Sequence, residues 1–151
     1  MPYLQLDVPA RYPSGLKRGL AQRLGRTYAE IMQTTSDLVI VTFRELGEGN
    51  VWHCGPEEAV PAAVLCCEIR RGRPPEQRSR LAAALIDACV ETLGLDPLRM
   101  EVEFTQHAGD EIYLNGLVDG VIQGSLGRDW TPAETETPLF ESMIAERRAV
   151  R

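Results

Sequence analysis

Two features of this 151-residue sequence can do chemistry. The first is Pro2. Methionine aminopeptidases remove Met1 when the next side chain is small, and that cleavage would leave a secondary amine at the start of the mature chain. A rigid amine drawn out of water and set near cations loses basicity toward neutral pH. Tuned that far, it both accepts and returns a proton. Proline is common enough that its position alone does not carry the assignment. The second feature is the cluster of Arg70, Arg71 and Arg73 around Gly72, in a chain of formal net charge -6. Cations just before a helix oppose its dipole and repel one another. Such a cluster is either a solvated turn with subunit salt bridges, or an anion site in which arginines and helix N–H groups hold a carboxylate.

The elements that must position these groups come from a repeat. Shifted by 61 positions without gaps, the sequence aligns Leu4 with Leu65, Pro13 with Pro74, Leu20 with Leu81, Glu30 with Glu91 and Phe43 with Phe104. Eight identities occur in this register, against about three expected from composition. Each unit reads as strand, helix, strand. From Tyr3 to Val8 apolar and polar residues alternate, the period of a half-buried strand. Ser14 is placed to cap a helix whose stripe is Leu16, Leu20, Leu24, Tyr28, Ile31 and Met32; Leu81, Leu85, Cys89 and Leu93 repeat it. Leu38 to Phe43 and Met100 to Phe104 close the units. Parallel strands with right-handed crossovers put both helices on one face of a four-stranded sheet. The expected class is α/β, one domain over 1–151, with repeat units 2–44 and 63–105 and a C-terminal arm over 116–151. Apolar residues around Leu38 to Val41 suggest that a second subunit covers the bare face, and the arm, with a short helix from Thr137, is expected to wrap a neighbour. Ala63 stands where the second unit would need its own proline, so only the first unit has the amine.

Composition narrows the function classes. The acidic balance argues against nucleic acid or an anionic membrane as partner. No apolar run approaches the length of a membrane span, and the N-terminus lacks a signal-peptide pattern, so a cytoplasmic protein is expected. Adjacent Cys66 and Cys67 point to opposite faces of a strand, and the four cysteines read as reduced core thiols. Neither they nor His53 and His107 have zinc-ligand spacing, so no metal is expected. The glycines at 116, 120, 124 and 127 do not form a nucleotide loop, and no cofactor is implied.

Pro2, Gly49-Asn50-Val51-Trp52 and Arg70-Arg71-Gly72-Arg73, on a duplicated unit, resemble the tautomerase superfamily, and most nearly its cis-3-chloroacrylic acid dehalogenase group. The resemblance runs from Pro2 to about Phe104. It implies a trimer of fused double units in which the proline exchanges a proton with a substrate carbon. The residues matching Arg70 and Arg73 would hold a small carboxylate. Three positions depart from the dehalogenases. Tyr28 stands for a histidine, Glu103 for a tyrosine, and Leu114 for the water-activating glutamate, with Asp110 and Glu111 nearby. Tyr28 is therefore either an oxygen-directed donor or a satisfied core tyrosine, and Glu103 either a replacement water activator or an exposed strand carboxylate. Trp52 would line the site, as a donor or as an apolar wall around the amine. Enol to keto tautomerisation of a small 2-oxo or enol acid is the expected reaction. A cis-3-haloacrylate dehalogenase or a hydratase, and a non-catalytic protein that keeps the fold, are the alternatives.

Overall fold

The computed structural model describes residues 2–132. Strand β1 (Tyr3–Val8) leads into helix α1 (Ser14–Met32) and back to β2 (Ile40–Glu45). A small hairpin, β3 (Trp52–Cys54) and β4 (Ala59–Pro61), precedes the second unit of β5 (Ala63–Arg70), α2 (Pro75–Leu93) and β6 (Met100–His107). The strands form one sheet in the order β2-β1-β5-β6. β1 runs parallel to β2, β5 parallel to β6, and the two units join antiparallel through β1 and β5. The anticipated fold class is the one observed.

Register displays the duplication. Tyr3 pairs with Ile40 and Ala63 with Met100, the same sequence separation in both units. Gln5 pairs with Cys66, its own counterpart in the repeat, so the units are related by a pseudo-twofold axis through that pair. Both helices have 19 residues. Leu4, Leu6 and Val8 alternate into the core with Leu65, Cys67 and Ile69, beneath Leu20, Leu24 and Tyr28 of α1 and Leu81, Leu85 and Cys89 of α2. This period-2 and period-3.6 match is what buries one continuous apolar layer.

Several local expectations change. Ser14 is the first residue of α1, preceded by Pro13 at the cap, and makes no capping hydrogen bond. Leu38 lies in a short 3-10 turn before β2. Of the cysteines, Cys67 and Cys89 are in the core, while Cys66 is half-buried on the other face and Cys54 is exposed on β3. The face without helices is also more polar than its flanking sequence suggested, because Val41 and Phe43 turn toward the core. Tyr3, Gln5, Asp7 and Thr42 instead form a hydrogen-bonded row across β1 and β2, closed by an Asp7–Arg44 ion pair.

Ile40 is exposed beside this row, but the largest group of exposed apolar residues lies elsewhere. The hairpin β7 (Tyr113–Val118) and β8 (Val121–Leu126) stands outside the main sheet, with Tyr113, Val121, Ile122 and Leu126 each more than half exposed. The expected helix from Thr137 lies outside the described residues. Among the described residues no helix is long and apolar enough to cross a membrane.

Candidate active site

Pro2 is buried at the entry to β1, and its carbonyl accepts the Ile40 N–H at 3.1 Å. β1 is an inner strand, so sheet hydrogen bonds on both sides fix the direction in which the chain start points. The antiparallel register with β5 ends at Tyr3 opposite Glu68. One residue further it sets Pro2 across from Ile69, next to Arg70. The chain start and the arginine turn thus share one end of the sheet.

The same end receives the C-terminus of α1. That helix stops on Gln33, in the left-handed region at φ 54, where its counterpart in α2 is Gly94. A side chain in that conformation costs about 1–2 kcal/mol. The last turn is secured from the second unit: Arg73 Nε donates to the Met32 carbonyl at 2.9 Å, and Gln77 Nε2 to the Ile31 carbonyl at 2.7 Å. Helix ends leave carbonyls unsatisfied and carry partial negative charge, so a buried guanidinium is favourable there. This resolves the charge anomaly of the sequence. Arg73 precedes the start of α2, where a cation is unfavourable, but its side chain serves the end of α1.

Tyr28, one turn before Met32 on α1, is 1% exposed. Burial pushes its phenol up to about 12, against the pull of the Arg73 and Arg70 guanidiniums and with a smaller upward push from Cys67. The hydroxyl is therefore a neutral donor within electrostatic reach of both arginines.

A strap that sequence reasoning assigned to a neighbour closes over the arginine turn. The Trp130 N–H donates to the Arg71 carbonyl at 2.8 Å, Arg70 Nη1 donates to the Arg128 carbonyl at 2.9 Å, and Asp129 pairs with Arg71 at 3.4 Å. The Gly109 N–H donates to Asp129 at 2.8 Å and, with the arginines, holds that carboxyl below its ordinary range. The Trp130 ring lies 5.0 Å from the Arg73 guanidinium carbon. Two glycines make this closeness possible. A Cβ on Gly72 would sit 2.0 Å from the Trp130 carbonyl oxygen, and one on Gly109 would sit 1.7 Å from the Arg128 carbonyl carbon. The available signals were Gly72 between arginines and a second tryptophan after a glycine-rich hairpin; neither says what it packs against.

The remaining candidates lie apart. Trp52 is half exposed on β3, and its indole N–H is already given to the Gly49 carbonyl at 3.0 Å. Glu103 is exposed in the middle of β6, beside Cys66 on the face away from the helices. Burial, with Asp7, Glu103 and Glu68, pushes the Cys66 thiol up. Leu114 lies on β7 opposite Ser125. Asp110 and Glu111 form a short turn after β6, where Glu111 accepts the Ala108 N–H at 2.9 Å. A pair not anticipated from sequence, His107 with Glu68, stands on that same face next to Arg70 in register. Among the described residues no group of three or more His, Cys, Asp or Glu is arranged to hold a metal ion.

No protein-family model matches the sequence, and no curated protein matches it significantly. Solved structures do. N1, a member of the cis-3-chloroacrylic acid dehalogenase (cis-CaaD) family, is 20% identical and aligns over 95% of this chain and 99% of its own, with a TM-score of 0.72. Pt0534, inactivated by 2-oxo-3-pentynoate, is 21% identical over 80% of this chain and 94% of its own, with a TM-score of 0.64. A fused 4-OT described as a symmetric trimer is 18% identical over the same shares, with a TM-score of 0.65. These likenesses show the fold: this chain shares the architecture of these solved structures, most fully along its length with N1.

Proposed function

We propose that the protein catalyses proton transfer on a small 2-oxo or enol carboxylic acid, with the free amine of Pro2 as general acid and base. The observation that carries this reading is the gathering of Pro2, Tyr28, Arg70 and Arg73 at one end of the sheet. Arg70 and Arg73 hold the carboxylate through charge-assisted hydrogen bonds. The amine takes the proton of the enol hydroxyl and delivers one to the neighbouring carbon, so C=C–OH becomes CH–C=O with no atom gained or lost. Negative charge that builds on the oxygen in between needs a donor. Tyr28 supplies it, since its hydroxyl keeps its proton up to about pH 12. Trp52 contributes no more than an apolar wall, because its N–H is engaged with Gly49.

Assembly as a trimer belongs to the same proposal. It is supported by the exposed apolar hairpin β7-β8 and by the fused 4-OT trimers. Light scattering is expected to give a trimer; a stable monomer overturns this part.

One second reading, hydration or hydrolytic dehalogenation, is favoured by the likeness to N1 along nearly the whole chain. It requires a water activator, for which Glu103, Asp110 and Glu111 are the candidates. Glu103 lies in the middle of β6, opposite Cys66 and four residues along β5 from Arg70, which weakens this reading. A panel of phenylenolpyruvate, 2-hydroxyalkenoates and cis-3-chloroacrylate separates the two. Enol consumption without chloride release is expected; chloride release as the dominant activity overturns the tautomerase reading.

A further inference from the structure

Trp130 is 5% exposed, and its indole N–H is buried with no acceptor among the described residues. Arg73, equally buried, lies against the same ring. A buried donor left unsatisfied costs about 1–3 kcal/mol, and native structures keep few of them. Nothing in the local backbone explains this one as an accident of a loose loop. The main chain of Trp130 is tied to Arg71, and the neighbouring turn has no Cβ at Gly72 so that the strap can approach. The carboxylate next in sequence, Asp129, is already shared between Gly109 and Arg71. Two buried donors, a guanidinium and an indole N–H, thus lie side by side at the proposed acid-binding end of the sheet. Among the described residues the indole has no acceptor.

We propose that Trp130 is a substrate-binding residue whose Nε1–H donates to a carboxylate oxygen of the acid held by Arg73. This inference rests on the proposed function and deepens it. The ring fixes the guanidinium plane by stacking, as aromatic faces do for arginine. The N–H then selects for an anionic oxygen at that spot, because a neutral or apolar isostere leaves the indole unsatisfied.

The test is an NMR titration of the 15N-labelled full chain with phenylpyruvate, the keto form of the proposed enol substrate. There are two tryptophans, and Trp130→Phe or Trp52→Phe identifies each indole resonance by its loss. The Trp130 resonance is expected to move downfield and saturate with phenylpyruvate, and to stay in place with phenylacetone, which lacks the carboxylate. Trp130→Phe, which keeps a ring over Arg73, is expected to lower kcat/KM on phenylenolpyruvate about tenfold or more, mainly through KM. Turnover by the native protein with an unmoved Trp130 resonance overturns this inference alone. A saturating shift without turnover supports it and removes the catalytic reading. Neither turnover nor shift removes both. If Trp130→Phe fails to fold, the native titration decides.

Discussion

The two β-α-β units have the same helix length and the same strand register, yet their corresponding ends are built for different tasks. The pseudo-twofold axis sends the Pro2 end of β1 to one side of the sheet and the Ala63 end of β5 to the other. At the first side stand Pro2, Arg70, Arg73 and Tyr28. At the second the counterparts are Ala63, Pro9, Tyr12 and Cys89. There Glu45 ties the turn together, accepting the Tyr12 N–H at 2.6 Å and the Lys17 ammonium at 2.5 Å. That lysine, with the Tyr12 N–H, holds the Glu45 carboxyl below its ordinary range. One end is thus closed by carboxylate and cation within a single unit. The other is rich in cations and is reached by both units and by the strap. Duplication supplied two equivalent ends, and divergence at a few positions confined the proposed chemistry to one.

The largest effect that would break this asymmetry concerns the amine. Retention of Met1 turns the Pro2 nitrogen into a non-basic amide. Activity is expected to fall by about a hundredfold to ten-thousandfold, the usual range of general acid–base catalysis, with circular dichroism unchanged. Pro2→Ala keeps an amine and is expected to retain part of the rate. Mass spectrometry fixes the state of Met1 in each preparation. Full activity in a chain proven to keep Met1 would remove the amine from the mechanism.

Next in size is a comparison of arginines with their counterpart. Arg70→Ala and Arg73→Ala are expected to raise KM, each losing about 1.5–3 kcal/mol of charge-assisted binding. Only Arg73→Ala should also lower the melting temperature appreciably, since it uncaps the Met32 carbonyl at the end of α1. Tyr12→Phe, at the other end of the sheet, should leave the kinetics unchanged. Equal melting temperatures for the two arginine variants would contradict the capping role.

A smaller, pH-dependent effect is shared by both ends. Tyr28 and its counterpart Cys89 are buried acids pushed up to about 12, as is Cys67. Their ordinary values are 10.0 for the phenol and 9.0 for the thiols. The unfolded chain therefore releases these protons first, and the unfolding free energy falls as pH rises. Stability from these groups is complete below about pH 9 and is lost on the way to pH 12. Urea midpoints measured between these limits should decline, more steeply once pH passes 10 and Tyr28 joins the thiols. A flat profile would mean that the three groups are not buried in solution.

The smallest effect is kinetic. A thiol reagent should label Cys54 first and Cys66 more slowly, reaching Cys67 and Cys89 only on unfolding. Prompt labelling of all four would contradict the core described for both units.

Much of this molecule was legible in its sequence because periodicity is a local property. Alternation from Tyr3 to Val8, the helical stripe from Leu16 to Met32, and a repeat at 61 positions specify strands, helices and their duplication without reference to any partner. The candidates Pro2, Arg70 and Arg73 were legible by residue type, since an N-terminal amine and clustered cations in an acidic chain are visible as such. Other features were decided only by folding. Arg73 sits at the start of one helix in sequence and at the end of another in space. Trp130 meets it from a segment 57 residues further along the chain. Val41 and Phe43 face the core while Thr42 does not, although all three lie in one run of mixed residues. Trp52 and Glu103, read from sequence as site residues, are carried by β3 and by the far face of β6. The physical reason is the same in each case. Side-chain type and spacing fix what a segment can bury, but a hydrogen bond or a stacking contact between distant segments depends on the sheet order and register that bring them together.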